Sequence, residues 1–102
     1  MSINDQNMVI DNFSLSHNYP NPFNPKTVIP YEIMVSGPIS IAIIDITGKH
    51  VRSLINEHKS PGTYTVKWNG KNNYGDNVAT GTYFCIMTAG NLTTSQKILL
   101  LR

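Results

Sequence analysis

Hydrophobic and polar residues alternate with a period of two along most of this chain, the pattern of strands that lay one face on a core. Between Thr27 and Met34, Ile29, Tyr31 and Ile33 share one face while Val28, Pro30 and Glu32 share the other. Proline cannot donate to a ladder, so this strand is expected at a sheet edge or bulged at Pro30. After the Ser36-Gly37-Pro38 turn, Ile39, Ile41 and Ile43 alternate with Ser40, Ala42 and Ile44 as far as Asp45. Thr47-Gly48-Lys49 closes a hairpin onto His50–Asn56, where Val51, Leu54 and Ile55 break the alternation, as a bulge or a short helical turn would do. Ser60-Pro61-Gly62 is a turn, and the strand after it, Thr63–Asn69, sends Tyr64, Val66 and Trp68 inward and Thr65 and Lys67 outward. Thr82–Ala89 points Tyr83, Cys85 and Met87 at the core, Gly90-Asn91 makes a tight hairpin turn, and Leu92–Leu101 returns as the last strand.

Six or seven short strands, turns every roughly 8–12 residues and no helix-period segment predict an all-β fold. The architecture expected is an immunoglobulin/fibronectin-III-like antiparallel sandwich of about seven strands. Its core is expected to centre on Trp68, and without a cysteine pair around that indole it is not an antibody-type domain. The polar start, residues 1–12, has no period and reads as a linker or N-terminal extension, with the domain itself over residues 13–102. At 102 residues there is material for one core.

Charge changes the picture mainly by exclusion. Eight Lys and Arg against six Asp and Glu leave a net charge of +2, and the basic residues are scattered from Lys26 to Arg102, so no nucleic-acid footprint is visible. No apolar run reaches the roughly 18 residues of a membrane span, and the first residues lack the basic and apolar regions of a signal peptide.

Candidate chemistry is sparse. Cys85 is the only cysteine, is expected in the core, and has no partner for a disulfide. His17, His50 and His58 share no metal-ligand spacing, and there is neither a nucleophile elbow nor a phosphate-cradling glycine motif. The loop Asn69–Asn77 holds four Asn, two Gly and a single carboxylate, Asp76, which suits Asn side chains capping backbone turns better than a calcium loop. No catalytic residue, cofactor, metal site or small-molecule substrate is therefore assigned.

One segment stands out: Asn18-Tyr19-Pro20-Asn21-Pro22-Phe23-Asn24-Pro25 spaces prolines so that the backbone is stiff and non-helical, with Tyr19 and Phe23 expected to pin it to the sandwich. Together with Asp45-Ile46-Thr47-Gly48-Lys49, Pro61-Gly62-Thr63-Tyr64, Val66-Lys67-Trp68-Asn69-Gly70, Ala79-Thr80-Gly81-Thr82-Tyr83-Phe84 and the tail Lys97-Ile98-Leu99-Leu100-Leu101-Arg102, it closely resembles type IX secretion (Por) C-terminal sorting domains of type A, also described as FlgD-like immunoglobulin domains. The resemblance covers about Phe13 to Arg102. It implies a bacterial domain at the end of a larger exported protein, carried through periplasm and outer membrane to the cell surface or beyond and read there by a translocon. In many members a sortase-like peptidase then removes it. Recognition on that view involves Lys97, Ile98, Leu99, Leu100, Leu101 and Arg102. The chain departs from the usual pattern at Pro30, Met34, Cys85 and Ile86, and Asn69 and Asn72 stand where Asp is commoner.

Alternation also predicts a surface. If Tyr83, Cys85 and Met87 face inward, Phe84 and Ile86 face outward, as do Ala42 and Ile44 on the Ile39–Asp45 strand. In this topology the two strands are neighbours, so Ala42, Ile44, Phe84 and Ile86 form one apolar patch with Leu99 or Leu101 beside it. Another copy, a cargo domain, the export machinery or the chain's own N-terminal segment would cover it. Two functions follow: a secretion label recognised as a folded surface, or a self-assembling module that packs through the apolar face or an open strand edge.

Overall fold

The computed structural model describes residues 12–102; apart from Asn12, the linker expected over residues 1–12 lies outside the described residues. Seven strands follow in order: β1 (Phe13–Leu15), β2 (Thr27–Ile33), β3 (Gly37–Asp45), β4 (His50–Lys59), β5 (Gly62–Trp68), β6 (Gly81–Ala89) and β7 (Leu92–Leu100). They form two antiparallel sheets, β1-β2-β5 and β4-β3-β6-β7. The expected all-β sandwich is what the chain builds. In constant-type immunoglobulin domains the fourth strand extends the sheet of strands one, two and five, whereas here β4 pairs with β3.

The alternating residues meet between the sheets. Ile29, Tyr31 and Ile33 of β2, Ile39, Ile41 and Ile43 of β3, and Tyr83, Cys85 and Met87 of β6 are buried, as are Ile98 and Leu100 of β7. At roughly 1.5–3 kcal/mol per large apolar side chain removed from water, this layer is the main source of stability. Tyr64 and Val66 are only half-buried against it, while Trp68 at the end of β5 is 1% exposed. Tyr64 instead stacks on Tyr31 at 5.3 Å and donates its hydroxyl to the Ser60 carbonyl at 2.7 Å, anchoring the crossing from one sheet to the other.

Two expectations need correction or completion. The Pro30 strand is not an edge: β2 is the centre of its sheet, and its register with β5 runs without a shift from Thr27 opposite Trp68 to Ile33 opposite Gly62. Short β1 reaches only Tyr31, Glu32 and Ile33, and beyond it the Pro30 carbonyl accepts the Ser16 N–H at 2.9 Å. The N–H and C=O of one strand residue face the same neighbour, so the donor that proline lacks would point past the end of β1, where no ladder is lost. The broken alternation of the fourth segment comes from bulges. The β3–β4 register slips between Ile41 and Ala42 and again between Ile43 and Ile44, which leaves Leu54 and Val51 as the extra residues. Each slip turns the next side chains over, and Val51, Leu54 and Ile55 all reach the core.

The hairpins use the chemistry their residues suggest. Asp45 Oδ1 accepts Thr47 N–H at 2.9 Å, Thr47 Oγ1–H at 2.6 Å and Lys49 N–H at 3.0 Å, closing the β3–β4 turn. Gly90, at φ +63°, fills the first position of the two-residue β6–β7 turn, as a type II′ turn requires.

Candidate recognition surface

The proline-rich motif and the C-terminal tail, about 75 residues apart in the chain, lie against each other. The Phe23 N–H donates to the Leu99 carbonyl and the Phe23 carbonyl accepts the Leu101 N–H, both at 2.9 Å, a short parallel pairing on the outer edge of β7. Asn21 Oδ1 accepts the Leu99 N–H at 3.0 Å. The Phe23 side chain, 1% exposed, packs on Trp68 with centroids 5.6 Å apart, and Trp68 meets Tyr83 edge-on at 5.3 Å. Phe23 thus anchors the motif as expected. Tyr19 does not: its ring is 56% exposed, and it holds on through backbone bonds to Val28 in both directions at 2.9 Å.

Behind the motif a small polar knot fixes its curvature. Asn18 Nδ2 donates to Thr27 Oγ1 at 3.0 Å and to the Pro20 carbonyl at 3.3 Å, and Thr27 Oγ1 donates to the same carbonyl at 3.0 Å. Asn18 and Thr27 are buried, so these bonds satisfy the Asn18 amide N–H groups and the Thr27 hydroxyl, which would otherwise be costly to desolvate, while Asn18 Oδ1 is left without a partner.

Arg102 closes the arrangement. Its N–H donates to Thr80 Oγ1 at 2.9 Å, its Nε to the Val78 carbonyl at 2.6 Å, and its Nη2 to the Gly70 carbonyl. Gly70 sits beneath the guanidinium at φ +74°; a Cβ there would stand 2.7 Å from Arg102 Nη2 and 3.2 Å from the Pro25 carbonyl oxygen. Gly70 is required by its backbone angle, and a side chain there would also push the flexible Arg102 guanidinium aside and crowd the Pro25 carbonyl.

The Asn-rich loop behind Gly70 is organised by its own side chains. Asn69 Oδ1 accepts Lys71 N–H, Asn72 Oδ1 accepts the N–H of Tyr74 and Asp76, and Asn73 Oδ1 accepts Ser53 N–H. The Trp68 indole N–H reaches the Lys71 carbonyl at 2.9 Å. Tyr83, at the start of β6, donates its hydroxyl to the Ala79 carbonyl four residues back at 2.6 Å, the tyrosine corner of immunoglobulin-like folds. Sequence reasoning placed Tyr83 in the core and missed this second role, along with those of Asn21, Gly70 and Arg102. For Gly70 the signal was available, a glycine straight after a strand that ends in a buried Trp; the other contacts join segments that only the fold brings together.

The tail divides by face. Ile98 and Leu100 are buried core residues and are not available to a partner, whereas Lys97, Leu101 and Arg102 are exposed and Leu99 is half-buried. Ala42, Ile44, Phe84 and Ile86 lie apart from the motif, on the outer face of the four-stranded sheet. There Ala42 is opposite Ile86 and Ile44 opposite Phe84, all four half-buried. Leu99, opposite Thr82, extends the patch toward the tail.

Burial pushes the Cys85 thiol up to about 12, out of reach of thiolate chemistry. His17, His50 and His58 are exposed, and among the described residues no three His, Cys, Asp or Glu side chains gather to hold a metal ion.

Comparison with known proteins agrees with the sandwich fold. No curated protein sequence matches the chain. Its fold is similar to that of dimeric latent PorU from Porphyromonas gingivalis, with a TM-score of 0.66 at 18% identity over 90% of this chain and 10% of that one. It is also similar to PorZ, described as an essential surface component of the type IX secretion system of Porphyromonas gingivalis, with a TM-score of 0.58 at 24% identity over 84% of this chain and 11% of that one. The chain therefore spans about a tenth of the length of these proteins. Residues 27–92, well over half of the sequence, match the FlgD Ig-like domain profile, and the chain belongs to that family of immunoglobulin-like domains.

Proposed function

We propose that this domain is a non-catalytic sorting label for an exported protein, recognised as a folded surface by secretion machinery at the outer membrane. The observation that carries the reading is the pinning of the Asn18–Pro25 motif to the last strand. It turns two separate sequence signatures into one surface edged by Leu101 and Arg102, with Lys97 close by on the outer sheet face opposite Phe84. The similarity in fold to PorU and PorZ supports a type IX setting, and with it delivery to the cell surface or beyond. Protein partners, not nucleic acid or small molecules, follow from a surface of this kind.

The test is surface delivery of a reporter fused ahead of the domain in a type IX-competent host. Deleting Lys97–Arg102 abolishes delivery; it also removes Ile98 and Leu100 from the core, so surface variants must accompany it. Lys97→Glu with Leu101→Ser leaves the core intact and reduces delivery. Full delivery of that folded variant would falsify the role of the tail surface.

A second reading, self-assembly, rests on the Ala42–Ile86 and Ile44–Phe84 pairs, which place apolar side chains in register on an outer face. Light scattering decides it. A dimer that Phe84→Ser and Ile86→Lys dissolve supports assembly through this face, and a monomer at all concentrations removes it.

A further inference from the structure

We propose that the Asn21–Phe23 segment is a plug, which occupies the outer edge of β7 and keeps two copies of this domain from joining through their last strands. An edge strand presents a row of unpaired N–H and C=O groups, and two identical edges can pair antiparallel about a two-fold axis into a closed dimer. At β7 the row is already taken where it leaves the sheet: Leu99 C=O by Phe23 N–H, Leu99 N–H by Asn21 Oδ1, and Leu101 N–H by Phe23 C=O.

The plug does not hand the problem on. Pro22 and Pro25 flank Phe23-Asn24 and have no N–H, so the segment cannot serve as the template for a further strand. Phe23, buried against Trp68, supplies the anchor that backbone bonds alone would lack. On the other edge of the same sheet the same device holds the stretch from Val51 to Ser53. Asn73 N–H donates to the Val51 carbonyl at 3.1 Å and Asn73 Oδ1 accepts the Ser53 N–H at 3.0 Å, so at both edges an asparagine side-chain carbonyl and a nearby backbone N–H hold one stretch of strand. The plug would operate whether or not the domain serves as an export label, so its test does not depend on delivery.

The test uses the full 102-residue chain and the variant Asn21→Ala/Pro22→Gly, which removes one acceptor and loosens the segment while keeping Phe23. In dilute solution the Leu99 amide then exchanges about tenfold faster than in the unaltered chain, the effect of losing one hydrogen bond. As concentration rises, sedimentation velocity shows a dimer and the Leu99 amide regains protection, which places the new contact at the last strand. Phe23→Ala gives the same result more strongly, and if it unfolds the double variant alone decides. The inference is overturned by a folded double variant that stays monomeric throughout, by a dimer in which Leu99 stays unprotected, or by an unaltered chain that already pairs through this edge.

Discussion

Residues near the Trp68 end of the sandwich each serve two masters, and substitutions there are expected to cost more than burial alone predicts. Trp68 touches Phe23 and Tyr83 and donates to Lys71, so Trp68→Ala should lose about 3–5 kcal/mol, a large part of the roughly 5–15 kcal/mol of a whole domain. Urea unfolding followed by far-ultraviolet circular dichroism measures it. Gly70→Ala should cost at least about 1 kcal/mol from the left-handed backbone alone and should also displace the Arg102 side chain, visible as new Arg102 Nε chemical shifts. Asp45 gives a pH signature. The Thr47 hydroxyl above all, helped by the Lys49 and Thr47 amides, holds its carboxyl below the ordinary carboxylate range against the opposing effect of desolvation. Its contribution to the β3–β4 turn is therefore present above that range and fades as pH falls through the lowered value. In a carbon-detected titration Thr47→Ala should raise the Asp45 midpoint, and an unchanged midpoint would count against the hydroxyl. At this scale the sequence was informative about burial and silent about reach. Trp68 and Cys85 could be assigned to the core from alternation, but Arg102 bonding to Val78 and Gly70 could not, because no local pattern encodes a contact over more than 20 residues.

Among the elements, β2, β3 and β6 were legible because each alternates strictly and packs on both sides. The fourth strand was not, since two bulges in ten residues put both phases of its alternation toward the core. Pro30 misled for a related reason: the rule that proline marks an edge holds for a ladder of full length, and three-residue β1 stops short of it. Tyr83 ties two elements together, with its ring in the core and its hydroxyl on Ala79 before β6 begins. Tyr83→Phe should keep the packing and lose about 1 kcal/mol, read as a lower urea midpoint at unchanged slope. A changed slope would show that the corner also shapes the unfolded state.

For the whole molecule, the sandwich and its approximate strand number were legible from alternation and turn spacing. What alternation could not supply was the meeting of motif and tail. Both were read as separate signatures, and only the closing of two sheets sets Phe23 beside Leu100. The two surfaces make separable predictions at this scale. Leu101→Ser alone should impair delivery and leave the sedimentation coefficient unchanged, since Lys97 stands opposite Phe84 on the outer sheet face, while Phe84→Ser/Ile86→Lys should alter association and spare delivery. Crossed outcomes would move the proposed recognition role from the tail to the sheet face.

The pairing of Phe23 with Leu99 and Leu101 also has a consequence for synthesis. The ribosome must add more than seventy further amino acids before the early aromatic finds its backbone partners, so a nascent chain interrupted anywhere before Leu99 leaves Phe23 unpaired, and one interrupted before Tyr83 leaves the Trp68 ring short of a neighbour as well. Such a fragment presents exposed rings to chaperones and proteases, and the ordered state becomes a certificate that translation has run to the last strand.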